Sequence, residues 1–155
     1  MNPQAPSFQS LGLSPEILQV LAELGFSDPS PIQAAAIPPL LAGKDVRGQA
    51  STGSGKTGAF ALPILERILA QPENWPHALI LCPTRELASQ VAREIRKFGR
   101  RIAGLHVLEL VGGAPTGPQK RALERKFHVI VGTPGRVLDH LGKGVLRLEI
   151  GRAHV

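Results

Sequence analysis

The chain has 155 residues, 43% of them hydrophobic and 19% charged, a balance that fits one globular domain and excludes a disordered tail. No stretch approaches the roughly 18 uninterrupted apolar residues of a membrane-spanning helix, and Met1 to Gln9 lacks the basic-then-apolar order of a secretory leader. Eighteen Lys and Arg against 12 Asp and Glu give a formal charge of +6, which favours an anionic partner, while the single cysteine, Cys82, excludes an internal disulfide and fits a reducing cytoplasm.

Seventeen Gly and 14 Pro, a fifth of the chain, predict many loops between short elements. Ser14-Pro15-Glu16 combines an N-cap, a proline at the first helical position and an acid in the first turn. Ile17, Leu18, Leu21 and Leu24 then repeat at helical spacing up to Gly25. A second helix starts at Ser30-Pro31, and Pro38-Pro39 is expected to kink or end it before Gly43. An apolar-flanked stretch over Asp45 to Gln49 leads through a Gly-rich loop into a helix over about Lys56 to Ala70. After a loop from Gln71 to Pro76, His77 to Cys82 reads as a strand covered on both faces. The remaining expectations are a charged helix over Arg85 to Phe98, a strand over Leu105 to Val111, a polar helix over Gln119 to Lys126, a short strand over Val129 to Val131 and a helix over Gly135 to Leu141. Strands alternating with helices imply an α/β fold, a parallel sheet with helices on both faces.

The segment richest in chemistry is Ala50-Ser51-Thr52-Gly53-Ser54-Gly55-Lys56-Thr57. It follows the P-loop pattern with Ala50 in place of the first glycine. Glycines let successive backbone N–H groups turn toward one anion, and the following helix adds the partial positive charge of its N-terminus. Lys56 would reach the β- and γ-phosphates and the Thr57 hydroxyl would ligate Mg²⁺. A flexible Gly-Ser turn with a solvated Lys56 is the alternative, and the strand-to-helix position of Gly-Lys-Thr disfavours it.

Four further segments share this order. Gly25-Phe26-Ser27-Asp28-Pro29-Ser30-Pro31-Ile32-Gln33 resembles the adenine-reading Q motif of the DEAD-box RNA helicases, with Phe8 placed seventeen residues before its glycine. Ala50 to Thr57 resembles that family's motif I, with Ser51 where Gln is commoner. Pro83-Thr84-Arg85-Glu86-Leu87-Ala88 resembles motif Ia, Gly112-Gly113 the glycine doublet and Thr133-Pro134-Gly135-Arg136 motif Ib. The resemblance implies a RecA-like domain that binds ATP and Mg²⁺. It assigns Gln33 to the N6 and N7 edge of adenine and Phe8 to the purine face; Phe26 belongs to the nucleotide-binding motif and is expected to pack under it rather than touch the nucleotide. It assigns Pro83, Thr84, Arg85, Gly113, Thr133, Gly135 and Arg136 to the sugar-phosphate backbone of single-stranded RNA, contacts that position a strand without reading its sequence. In the intact enzymes of this family, RNA-stimulated ATP hydrolysis is coupled to local duplex unwinding. Read without the family, Arg85 and Arg136 are surface ion-pairing residues and Thr84 is a helix cap.

Resemblance divides the chain into a Q-motif region (1–44), a RecA-like portion (45–148) and a segment (149–155) expected to be a non-native tail, since those residues match one frame of a common sequencing-library adapter. The acidic motif that would complete the Mg²⁺ site is not found in residues 1–155, so this portion alone is expected to bind without hydrolysing, and to aggregate through exposed sheet edges. Lys97, Arg100, Arg101, Lys120-Arg121 and Arg125-Lys126 read as solvated helix faces, Cys82 as a small buried hydrophobe, and Trp75 as a surface loop residue. No zinc site is expected from the five histidines. Another P-loop enzyme, such as a DNA helicase or nucleotide kinase, and a non-catalytic RNA-binding module are the competing classes.

Overall fold

Three four-residue strands of a parallel sheet organise the computed structural model, which describes residues 6–73 and 76–148. In chain order these strands are β1 (Ala78–Leu81), β2 (Val107–Leu110) and β3 (Val129–Gly132). Spatially the order is β1-β3-β2, so the last strand lies between the first two. Ile80 of β1 and Glu109 of β2 both stand opposite Val131. All four β3 residues are buried, as the central strand of a covered sheet must be.

Helices α1 (Pro15–Glu23), α2 (Pro31–Leu41), α3 (Lys56–Ala70) and α4 (Arg85–Phe98), with a 3₁₀ turn over Phe8–Leu11, contribute to the larger core. There Leu62, Leu65, Ile68, Ala92 and Ile95 meet Val129 and Val131. On the opposite face, α5 (Thr116–Leu123) and α6 (Pro134–Gly142) supply Leu123 and Val137 to a smaller core with Leu110 and Ile130. Alternate β3 side chains thus serve two cores, and the expected α/β architecture with helices on both faces is present.

Polar contacts bind the layers. Glu66 on α3 accepts from both the backbone N–H and the hydroxyl of Ser14 at 2.8 Å, so Ser14 ties α1 to α3 rather than closing its own helix with its side chain. Arg100 and Arg101 at the end of α4 both bond Glu23 on α1, so these two cations of the expected solvated face are ion-paired. Glu109 on β2 accepts from Ser89 and Arg96 of α4, both at 2.8 Å.

Helix α2 runs through Pro38 and Pro39 and ends at Leu41, before Gly43 as expected. The two prolines remove only the bonds they would have donated, and the last turn is held by Ala42, Gly43 and Lys44 N–H groups donating to Pro38, Leu40 and Pro39 carbonyls. The polar helix α5 begins at Thr116 rather than Gln119, with Pro118 accommodated in its first turn, where its missing N–H costs nothing. Residues 44–50 form no strand and are largely exposed. β1 is not covered on both faces: Leu79 and Leu81 are 37% and 54% exposed. The strand lies at the sheet edge with β3 as its only partner among the described residues. Cys82 is buried, as expected, and burial pushes its thiol pKa up. The expectations for Trp75 and for 149–155 lie outside the described residues, as does His154.

Candidate nucleotide and nucleic-acid site

The phosphate-loop candidate runs into the N-terminus of the 15-residue α3. Gly53 and Gly55 hold φ of +77° and +87°, left-handed values that favour glycine. Lys56 donates from Nζ to the Ala50 carbonyl at 2.6 Å, closing the loop on itself. Ser51, Thr52 and Lys56 are exposed, and Thr57 is half-buried. The Ser54 hydroxyl is buried and has no hydrogen-bond partner among the described residues. An orphaned polar atom inside a glycine-lined turn at a helix N-terminus fits a phosphate group.

Gln33 is the third residue of α2, 5% exposed, with its amide turned onto this loop. Its Oε1 accepts from the Ser30 N–H at 3.0 Å and its Nε2 donates to the Gly55 carbonyl at 3.1 Å. A Cβ on Gly55 would lie 2.6 Å from that Nε2, so the absence of a side chain at 55 is what lets the amide close in.

The two phenylalanines both lie in packed surroundings. Phe8 is 2% exposed and belongs to the larger core, so it offers no open face on which a purine could stack. The 3₁₀ turn directs it inward, where burying its ring outweighs leaving it at the surface. Phe26 is half-buried, its ring 5.7 Å from that of Phe98 and under the Lys97 ammonium, which places it in packing beside the loop.

The remaining motif residues gather where the strands end. Thr84 caps α4, its Oγ1 accepting from the Leu87 N–H at 3.2 Å. Pro83, Thr84 and Arg85 are exposed. Arg85 pairs with Glu86 at 3.1 Å. Glu86's pKa is held low first by its own backbone N–H and then by Arg85. A Cβ on Gly113 would collide with the Arg85 guanidinium, so motif Ia and the glycine doublet are in direct contact. Thr133 is the N-cap residue of α6, with Gly135 in the first turn. Arg136 donates from Nη1 to the Ala114 carbonyl at 2.9 Å and to Gln119 Oε1 at 3.1 Å. Groups following β1, β2 and β3 therefore meet at the carboxyl end of the sheet, where open α/β sheets bind ligands.

Gln119 and His140 were not marked by the sequence reading, yet both are buried beside Arg136. Their signal was spacing: Gln119 shares a helix face with Leu123, and His140 with Arg136, each four residues apart. Among the described residues no group of three or more His, Cys, Asp or Glu side chains could hold a metal ion. No described helix is long and apolar enough to cross a membrane.

Residues 30–151 match the sequence profile of the DEAD/DEAH box helicases. The chain is 51% identical over 143 residues to the ATP-dependent RNA helicase DeaD of Buchnera aphidicola subsp. Schizaphis graminum, covering 92% of this chain and 24% of that protein. It is 53% identical over 137 residues to the ATP-dependent RNA helicase DbpA of Escherichia coli K12, covering 88% of this chain and 30% of that protein. A solved DEAD box protein from the hyperthermophile Methanococcus jannaschii superposes with a TM-score of 0.85 at 42% identity, covering 92% of this chain and 39% of that one. The chain thus spans about a quarter to a third of the length of these two curated relatives. On its sequence, its fold and the order of its motifs, the chain belongs to the DEAD/DEAH box helicase family.

Proposed function

We propose that the chain is the ATP- and RNA-binding portion of an RNA-stimulated ATPase that, at full length, opens short RNA duplexes. The observation that supports this most directly is the pairing of Gln33 with the phosphate loop. Its two partners present the donor and acceptor pattern of a purine edge. The Ser30 N–H donates to Oε1 as an adenine N6–H would, and the Gly55 carbonyl accepts from Nε2 as N7 would. An adenine exchanges these bonds for equivalent ones. Guanine offers O6 in place of the N6 donor and leaves Oε1 unmatched, so the site selects ATP.

In this reading Lys56 leaves the Ala50 carbonyl for the β- and γ-phosphates, the N–H groups of residues 51–57 surround the phosphates, and the Ser54 hydroxyl gains a partner. Thr57 would hold Mg²⁺ through its hydroxyl, and the ion would supply positive charge against the phosphates. Thr84, Arg85, Gly113, Thr133 and Arg136 take successive phosphates of a single RNA strand. Pro83 and Gly135 shape the turns beside them. The chain by itself binds both ligands without turning ATP over, and a reducing cytoplasm suits its free thiol.

Fluorescent ATP and GTP analogues and a labelled single-stranded oligoribonucleotide test this. The wild-type chain is expected to bind the ATP analogue in preference to the GTP analogue. Lys56→Ala is expected to remove nucleotide binding and leave RNA binding in place. Equal affinity for both nucleotides, or unchanged ATP binding by Lys56→Ala, overturns the assignment of this site.

A further inference from the structure

Arg136 is held by a buried network that its own motif does not contain. Gln119, 8% exposed on α5, and His140, 2% exposed on α6, converge on it. An arginine only donates, so the Gln119 atom facing Arg136 at 3.1 Å is its oxygen. The amide nitrogen then donates to the Val111 carbonyl at 3.0 Å. His140 Nε2 lies 3.0 Å from the same oxygen and must carry the proton, while its buried Nδ1 has no partner among the described residues. One glutamine oxygen thus receives both a guanidinium and an imidazole.

The two hydrogens of Arg136 Nη1 go to Gln119 Oε1 and to the Ala114 carbonyl. Val111 and Ala114 flank the glycine doublet Gly112-Gly113. The network therefore fixes the plane of the guanidinium against the loop that follows β2. The three N–H donors on Nη2 and Nε are not used by these acceptors.

We propose that Gln119 is a positioning residue for RNA, setting the Arg136 fork and the glycine-doublet loop in one register so that both meet the same phosphate backbone. This rests on the RNA-binding reading above. Ordering a long side chain in advance spares an entropic cost at binding, and its loss should weaken RNA affinity about three- to tenfold. Gln119 lies on α5, whose Leu123 joins the core on the opposite face of the sheet from α3, the helix that follows the phosphate loop, so ATP affinity is expected to stay unchanged.

The test measures dissociation constants of the chain for a labelled single-stranded oligouridylate. Gln119→Met, similar in length but without a hydrogen-bonding amide, is expected to weaken RNA binding three- to tenfold with unchanged affinity for the ATP analogue. Gln119→Glu, which keeps an acceptor for Arg136 and His140 but loses the donor to the Val111 carbonyl, is expected to fall between the wild type and Gln119→Met. Adding Gln119→Met to Arg136→Ala is expected to cause a smaller further loss than Gln119→Met causes alone, because Gln119 acts in part through that arginine. Arg136→Lys, which keeps the charge and loses the fork, is expected to lose as much as Gln119→Met, and this readout survives even if Gln119→Met does not fold. Wild-type RNA affinity in Gln119→Met or Arg136→Lys, or an equal loss from Gln119→Met with and without Arg136, overturns the inference. A wild-type chain that binds no RNA overturns the proposed function, and the inference with it.

Discussion

Replacing Gly55 by alanine separates backbone strain from crowding at the phosphate loop, because Gly53 provides a matched control. Both glycines are left-handed, at φ +87° and +77°, and an alanine there costs about 1–2 kcal/mol in backbone strain. The stiffer unfolded chain offsets about 0.4–1 kcal/mol of this, leaving about 1 kcal/mol net at either site. A Cβ at 53 meets nothing within 4 Å, so that figure is the whole expectation for Gly53→Ala. A Cβ at 55 lies 2.6 Å from Gln33 Nε2 and 2.8 Å from Ser30 Oγ. The amide must withdraw, breaking its bonds to the Ser30 N–H and the Gly55 carbonyl. Two hydrogen bonds at about 0.5–1.5 kcal/mol each bring Gly55→Ala to about 3 kcal/mol. Urea unfolding at neutral pH, followed by circular dichroism at low protein concentration, measures both variants. In a Gln33→Ala background the cost of Gly55→Ala should fall toward that of Gly53→Ala. If the two single variants agree within about 0.5 kcal/mol, the contact between the Q motif and the loop is not the reason residue 55 is glycine.

Three other outcomes are expected. Thr84→Ala should destabilise by about 1 kcal/mol in the same unfolding assay, since it removes the cap on α4. Burial, then the charges of Arg136 and Lys143, depress the His140 pKa against the opposing pull of Asp139. The unfolded chain therefore binds more protons below about pH 6.5, and stability falls as pH drops from there, by at most about 1.4 kcal/mol per pH unit for this group. His77, also depressed chiefly by burial, acts in the same direction. His140→Gln, neutral throughout and still able to donate to Gln119, should show a shallower fall between pH 7.5 and 5.5, and equal slopes would refute the assignment. Leu81→Lys, at a side chain 54% exposed on the sheet edge, should reduce aggregation measured by light scattering, as a charge on an open edge strand does.

The helices over 56–70 and 85–98 were legible because sustained 3.6-residue periodicity, a glycine-lysine start and a threonine cap agree with one another there. The strand centres were legible for the same reason, as short apolar runs between turn residues. The end of α2 before Gly43 was legible from its two prolines, although the helix runs two residues past them on the retained carbonyl acceptors of its final turn. The start of α5 was misplaced because Gly117-Pro118 reads as loop until it is seen to occupy a first turn. Residues 45–49 carry a strand's apolar flanks, but strand formation depends on neighbours, and no local pattern encodes those. At the site, the loop and its glutamine follow from chemistry that needs particular residues at particular spacings. The core position of Phe8 was not legible, because an aromatic ring suits a stacking role and a core role equally well, and only its surroundings decide. Gln119 and His140 escaped notice because they bond each other across two helices, and the other partners of Gln119 lie on α6 and in the loop after β2.

The strand order has a consequence for how this chain is made. Because β3 sits between β1 and β2, the first two strands to leave a ribosome have no earlier hydrogen-bonding mate among the described residues. Among these, 78–81 and 107–110 wait for 129–132 before their ladders form. Sheet closure is therefore a late, single event driven by long-range pairing, which is the slow kind. Until then Leu79, Ile80, Leu81, Leu108 and Leu110 are sticky nascent surface, and this interval is when a chaperone would be needed most.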